Sequence, residues 1–315
     1  MCSPPRGRWK AQLPEGTEQA PPTLPAAPER AGYTIDAAAV RRRFERAART
    51  YSRASRLEAE IGERMLERLD YVKLAPRRVL DAGCGPGRDA RALAKRYPQA
   101  QVIGLDFSHR MLREENGFLS RLLARNEKHS LCANFERLPL AAESVDLVWS
   151  NMALHWAADP LAALREFHRV LALEGLLMFS TLGPDTLGGL RSAAGAARVH
   201  AFADMHDLGD MLVAAGFSEP VVDMERLTLL YADGAALLAD LRASGQTNAL
   251  AARARGLSGR RFLAALEEKL AAQHRDGKLP VGYEVVYGHA WKAAPRRGPR
   301  QTEDGRSIVQ FERRR

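Results

Sequence analysis

The sequence predicts an α/β protein: a doubly wound, mostly parallel seven-stranded sheet with N-terminal lid helices and a largely α-helical C-terminal part. Three observations predict it. Short, near-continuous apolar runs alternate with amphipathic helical periods through the middle of the chain, the pattern of a parallel sheet covered on both faces. The first run ends on an acid and passes into glycine at every second position, "VLDAGCGPG" (79–87). The next, "VIGLD", ends on another acid, Asp106, about 20 residues on, which puts two carboxylates at neighbouring strand ends, where such sheets bind ligands.

Residues 1–32 are rich in Pro, Ala and Glu without a sustained hydrophobic period, which predicts a disordered leader. A single domain is expected over 33–293, divided into lid helices (33–75), a ligand-binding core (78–182) and substrate-side helices with the last strands (183–293). From Asp36, Val40, Phe44, Ala47, Ala48 and Tyr51 recur at helical spacing; after a break near Ser55, Leu57, Ile61, Met65 and Leu69 continue. Strands follow at "RRVLDAG", "QVIGLD", "SLCAN", "VDLVWSN" and "GLLMFSTL". Helices separate them: one after Gly87, "SHRMLREENGFLSRLL", and "PLAALREFHRVLAL". Beyond Gly183, "DLGDMLVAAGF" reads as a helix closed by Gly216, "VVDMERLTLLYA" as a strand, "GAALLADLRASG" and "GRRFLAALEEKLAAQ" as helices, and "VGYEVVYGHAW" as the last strand. Residues 294–315 fit no pattern and are expected to be a disordered basic tail.

Charge and cysteine usage narrow the function classes. The net charge of +9 is unevenly placed, because 294–315 holds seven arginines against three acids, so the body is only mildly basic and nucleic acid is not the expected partner. Cys2, Cys84 and Cys132 follow no metal-binding spacing and leave an odd number, so neither a disulfide framework nor a bound metal is expected. No secretion signal or membrane span is evident, and a cytoplasmic, monomeric protein is expected.

The glycine loop can be read chemically. A Walker loop needs Gly-Lys-Ser/Thr, which is missing after Gly87, and a dinucleotide fingerprint needs its third glycine where Arg88 stands. Asp81 at the strand end would repel a pyrophosphate and favour an ammonium or sulfonium group. S-adenosylmethionine carries both, and Gly83, Gly85 and Gly87 let the backbone approach it, with Cys84 packed in the loop. Asp106 is placed for the ribose hydroxyls, with Phe107 and Met111 just beyond it; Asn134 and Phe135 are placed for the adenine amino group and the base, and Asn151 for the cofactor at the end of the fourth strand.

"VLDAGCGPG", "VIGLDFS", "ANFERLPL", "VDLVWSNMALHW" and "ALREFHRVL" resemble the successive motifs of class I S-adenosylmethionine-dependent methyltransferases. "SNMALHW", "LLMFSTLGPDTLGGLR", "MHDLGDMLVAAGF", "LRASGQTNAL" and "YEVVYGHAW" narrow the resemblance to the malonyl-acyl-carrier-protein O-methyltransferases of biotin synthesis, over about Val40 to Trp291. Asn134 stands where that family commonly has an acid, and "ALEG" where it has Lys-Pro-Gly-Gly. The resemblance implies methylation of the free carboxylate of malonyl carried on acyl carrier protein, or of malonyl-CoA. It implies a lid tyrosine at Tyr51. Beside the transfer point, His155 is the candidate donor to the carboxylate, Trp156, Phe179 and Leu182 are candidate pocket walls, and Arg242 is the candidate carboxylate clamp. Arg41, Arg42 and Arg43 are candidates for docking an acidic carrier protein. Similar late motifs occur in complex I assembly proteins of this fold, so a factor modifying a protein is the alternative. A nucleic-acid methylase is disfavoured, since "SNMALHW" replaces the Pro-Pro-aromatic motif of base methylases.

Overall fold

The computed structural model describes residues 34–115, 129–253, 256, 259–294, 300, 301, 307 and 308. The chain divides into Met1–Ala31 and Gly32–Arg315. The expected leader and most of the expected tail lie outside the described residues.

Two helices precede the sheet. Helix α1 (Ala37–Ala54) starts where the Asp36 carboxylate accepts the Ala39 amide at 2.9 Å. It buries Val40, Phe44, Ala47 and Ala48. Ser55 breaks the chain, as expected, and α2 (Arg56–Arg68) buries Leu57, Glu58, Ile61 and Met65.

Strand β1 (Arg78–Ala82), α3 (Arg88–Arg96), β2 (Gln101–Asp106), α4 (His109–Glu115), β3 (His129–Cys132) and β4 (Val145–Ser150) follow. The long helix expected from Ser108 is described only to Glu115; its remainder lies outside the described residues. Helix α5 (Pro160–Val170) opens on Asp159 with Pro160 in its first turn and passes directly into β5 (Leu171–Leu182). The sequence pattern places the end of this helix later, at "LAL". Leu171 instead pairs with Val145, so the apolar tail of that run becomes strand.

Then come α6 (Gly188–Ala194), α7 (Met205–Ala214), β6 (Ser218–Tyr231), α8 (Gly234–Ala243), α9 (Arg260–Ala271) and β7 (Leu279–Trp291). The seven strands lie in the order β3-β2-β1-β4-β5-β7-β6, with β1 to β5 parallel and β7 antiparallel to both neighbours. The chain order reverses between β1 and β4, which puts a crevice at the carboxyl ends of those strands. In the tail, β8 (Arg300–Gln301) and β9 (Ser307–Ile308) pair antiparallel, a ladder that the sequence pattern does not reveal.

One face of the sheet packs on α2, α3, α6, α8 and α9 through Ile61, Leu93, Leu190, Leu237 and Leu266. The other packs on α5 and α7 through Leu164, Phe167, Leu208 and Leu212. A third, smaller cluster joins α1 to α4 through Ala39, Val40, Phe44, Ala48 and Met111. Phe179 and Leu182, read from sequence as pocket walls, belong to the core instead. Phe179 is fully buried and lies directly against Gly288 on β7, where any Cβ would overlap its ring. The end of β5 is buried on both faces, so Phe179 and Leu182, which point to opposite sides of the sheet, each meet packed core.

Candidate active site

At the end of β1 the backbone must turn sharply into α3. Gly83, Gly85 and Gly87 take φ values of +84°, +53° and +72°, a region that costs an L side chain about 1–2 kcal/mol. Space is also limiting at Gly83, where a Cβ would overlap the Ala153 methyl group. The loop is tied to β2 by two carbonyl contacts, Gly83 N and Cys84 N donating to Leu105 O at 2.7 and 3.0 Å. Asp106 completes the tie: its carboxylate accepts from Gly85 N at 3.0 Å and Ser108 N at 2.7 Å. Burial pushes its pKa up to about 6 despite those two amides.

The turn after β4 forms the facing wall. Met152 sits at φ +52°, uncommon for a bulky residue, and is pinned by Ser180, whose carbonyl and hydroxyl accept its amide at 3.1 and 3.0 Å. Asn151 is fully engaged in the frame. Its Nδ2 donates to Glu58 O and Asp89 Oδ2, each at 2.8 Å, and its Oδ1 accepts from Ser180 Oγ at 2.8 Å. Trp149 Nε1 adds a bond to the same Asp89 oxygen at 3.0 Å.

Helix α1 roofs the crevice. Tyr51, Gly83 and Asn151 border two adjoining clefts. The first, of about 540 Å³, is acid-lined, with Glu58, Asp81 and Asp89 beside Arg88 and Arg91. The second, of about 580 Å³, is aromatic, with Phe44, Phe107, Phe135 and Trp156 beside Asn134 and Glu136. The Tyr51 hydroxyl lies among acids; burial, then Glu58, Asp106 and Asp89, hold it far above the ordinary phenol range, so it is a neutral donor.

The predicted residues thus fall into three groups. Asp81, Gly83, Cys84, Asn151 and Tyr51 line the acidic cleft, and Phe107, Asn134, Phe135 and Trp156 the aromatic one, with Asp106 beneath the glycine loop. Asn134 is exposed, its Oδ1 accepting from Glu136 N at 3.0 Å in a local turn. Met111 is buried in the seam between α1 and α4, a packing residue of the roof.

The expectations for His155 and Arg242 need correction. His155 packs between Trp156 and Phe202, at 5.1 and 5.6 Å between ring centres, with Nδ1 3.3 Å from Thr181 Oγ1. Burial and then His200 press its pKa down to about 3, so it is a neutral member of an aromatic cluster. Arg242 is exposed on the last turn of α8 and lines neither cleft.

The "LRASGQTNAL" stretch seats the roof. Thr50 Oγ1 donates to Ala243 O at 2.7 Å, Arg43 Nη1 to Thr247 O at 3.3 Å, and Asp36 N to Ala249 O at 2.8 Å. Arg253 pairs with Asp36 at 2.9 Å, and the Gln246 amide donates to the Glu58 carboxylate. His200, which no sequence pattern singles out, accepts Ala249 N on Nε2 at 2.6 Å; burial and then Arg43 hold its pKa near 4 and keep that acceptor neutral.

Glu58 is the other residue that sequence reasoning misses, though the signal is available: an acid on the apolar stripe of Leu57, Ile61 and Met65. Burial raises its pKa to about 7. Its unfolded-state value is near 4.5, so the native state holds a proton that the unfolded chain gives up between those values, and stability falls as pH rises through that window. The Glu58→Gln variant is therefore expected to gain about 2 to 3 kcal/mol over wild type between pH 5 and pH 8 in denaturant unfolding. A pH-independent difference would show an ordinary carboxyl.

The cleft residues fit S-adenosylmethionine: a bare glycine backbone, a row of acids for its cationic end and aromatic rings for the base, with Asp106 bracing the glycine loop at the end of β2. The fold and this site define an S-adenosylmethionine-dependent methyltransferase of the class I type, and a family model described as a methyltransferase domain matches residues 80–179. The YcgJ protein from Bacillus subtilis has the same fold, with a TM-score of 0.54 at 18% identity over 73% of this chain and 98% of its own.

Two relatives narrow the assignment. A malonyl-[acyl-carrier protein] O-methyltransferase of Methylovorus sp. is 52% identical over 89% of this chain and 96% of its own length. One from Laribacter hongkongensis is 50% identical over 89% and 97%. The chain belongs to the malonyl-[acyl-carrier protein] O-methyltransferase family. Among the described residues no cluster is placed to hold a metal ion, and no helix is long and apolar enough to cross a membrane.

Proposed function

We propose that the protein methylates the free carboxylate of a malonyl thioester on acyl carrier protein, giving the ester that primes pimeloyl synthesis for biotin, and acts as a cytoplasmic monomer. The observation that carries this reading is the crevice divided into an acid-lined and an aromatic half beneath Tyr51, in a chain half-identical to relatives named for that reaction. Bound S-adenosylmethionine supplies an electrophilic methyl group.

A malonyl carboxyl, with a pKa of about 4, is ionised at neutral pH and needs no base. The two histidines beside Trp156, held near 3 and 4, are too weakly basic to serve as one. With the donor held in the cleft bordered by Tyr51, Asp81, Gly83 and Asn151, the carboxylate oxygen would take the methyl group as its carbon–sulfur bond opened, the electron pair passing to sulfur and no proton moving. The protein's contribution is alignment and exclusion of water. Phe44 and Trp156, 5.3 Å apart edge to face, dry the crevice, and the Tyr51 hydroxyl donates to the incoming carboxylate.

The acidic half also explains turnover, since it favours the cationic donor over its neutral demethylated product. Esterification removes the acceptor's charge, and the product can then enter apolar pockets that exclude a carboxylate.

Incubation with methyl-labelled cofactor and malonyl-acyl carrier protein is expected to give a base-labile methyl ester. Intact cofactor binding with no ester on either carrier protein or coenzyme A thioester would overturn the reading. Label on a protein side chain would favour a modification factor of the same fold.

A further inference from the structure

The outer face of α1 is as specialised as its inner face. Six arginines and a single acid occupy its eighteen residues. Arg42, Arg46, Arg49 and Arg53 fall at i, i+4, i+7 and i+11, so they form one stripe along the solvent side, opposite Val40, Phe44, Ala47 and Tyr51. At about 1.5 Å per residue the stripe is about 16 Å long. The one acid, Glu45, is turned aside to Arg110 at 3.4 Å.

Several other surface arginines are neutralised by a neighbouring acid. Arg64 pairs with Glu60 and Glu225, Arg68 with Asp223, Arg96 with Asp70, and Arg226 with Asp185. On the stripe only Arg42 has a partner among the described residues, Asp36 at 3.9 Å; Arg46, Arg49 and Arg53 are exposed and form no ion pair with any described residue. Holding like charges at helical spacing opposes helix formation by a few tenths of a kcal/mol per pair. A partner of opposite charge would reverse that sign.

The stripe also lies beside the entrance. Ser52 is exposed, follows Arg49 by one turn and lines the acidic cleft with Ser55. Arg88, from the end of the glycine loop, donates to Ser55 O at 3.1 Å and Ser52 O at 3.5 Å, linking this end of α1 to the cofactor loop. Arg242, exposed and lining neither cleft, directly precedes Ala243, whose carbonyl holds Thr50 of α1 at 2.7 Å.

We propose that Arg46, Arg49 and Arg53 form the docking surface for the acidic protein that carries the methyl acceptor, so that the partner seats on the back of the roof helix and delivers its acyl group past Ser52. The inference rests on the acceptor reading above. Docking there presses α1 onto the crevice through the same helix that carries Phe44 and Tyr51, coupling arrival of the acceptor to exclusion of water. The sequence alone points to Arg41, Arg42 and Arg43 for docking; Arg43 instead is half-buried and donates to Thr247 O.

The triple variant Arg46→Glu/Arg49→Glu/Arg53→Glu tests this in the full chain. Its affinity for malonyl-acyl carrier protein, read by fluorescence anisotropy at low salt, is expected to fall by about tenfold or more, with wild-type binding weakened by added salt. Methylation of a small malonyl thioester is expected to stay within about twofold, since the stripe lies outside the crevice. Unchanged carrier binding would overturn the docking surface, as would an equal loss of rate with the small thioester, which would mark the arginines as props of the roof. A charge-matched RNA that binds wild type more tightly than the carrier protein would overturn the choice of partner. Absence of methyl ester from wild type on either acceptor is a separate outcome: it sinks the acceptor reading, while the binding comparison still decides whether the stripe engages an acidic protein.

Discussion

Replacing Asp106 with alanine is expected to weaken S-adenosylmethionine binding by about a hundredfold to a thousandfold, measured by calorimetry. Two losses combine. The first is the proposed role of the carboxylate at the end of β2 as acceptor for the ribose hydroxyls, where charged hydrogen bonds contribute about 1.5–3 kcal/mol each. The same carboxylate holds Gly85 N and Ser108 N, so its removal also loosens the glycine loop. Asp106→Asn separates the two effects, since its amide oxygen can still accept one backbone N–H. An alanine variant that binds the cofactor like wild type would refute the ribose assignment.

The Tyr51→Phe variant is expected to lose about a hundredfold in kcat, the scale of one donor aimed at a reacting oxygen, with cofactor affinity changed less than about threefold. The reasoning rests on where the hydroxyl stands. It borders both clefts, forms no hydrogen bond with any described residue, and is held neutral by burial and three acids. The ring, 6.2 Å from Phe44, is retained in the variant, so packing of the roof survives. Single-turnover kinetics with saturating cofactor would check it; an unchanged rate would reduce Tyr51 to a packing residue.

The parts of this molecule that local pattern controls are legible in the chain itself. The strand ends at Asp81 and Asp106 follow from apolar runs terminated by acids, and the turn between them from glycines, which take those angles without the strain an L side chain meets. The seven-stranded sheet follows from the alternation of strand and helix. What escapes is decided by segments far apart in sequence. Glu58 acquires its raised pKa only because the fold buries it, with Gln246, 188 residues later, brought against it inside the roof. His200 is an acceptor only because Ala249 presents its amide.

Arg242 shows the opposite failure. A guanidinium near the end of a glycine-terminated helix has the right chemistry for a carboxylate, but chemistry does not say which way a helix faces, and this side chain faces solvent. Phe179 fails for a related reason: its strand is buried on both faces, and the glycine that receives its ring lies on β7, 109 positions away.

The seating of α1 on residues 243–253 bears on how the chain acquires its site during synthesis. The bridge between Ile35 and Leu250, and the bonds from Asp36 to Ala249 and from Ala251 to Thr34, join the beginning of the domain to a stretch more than two hundred residues downstream. By the time that stretch leaves the ribosome, every parallel strand of the sheet has been made, so α1 can rest on α4 but lacks its second seat. Domains emerge N-terminal end first at about 5–20 residues per second, which leaves the nascent chain with its roof held on one side only for several seconds. A stalled chain ending before residue 243 would therefore hold the cofactor loop under a roof seated only on α4, and full protection of α1 from proteolysis would come once the later segment is released.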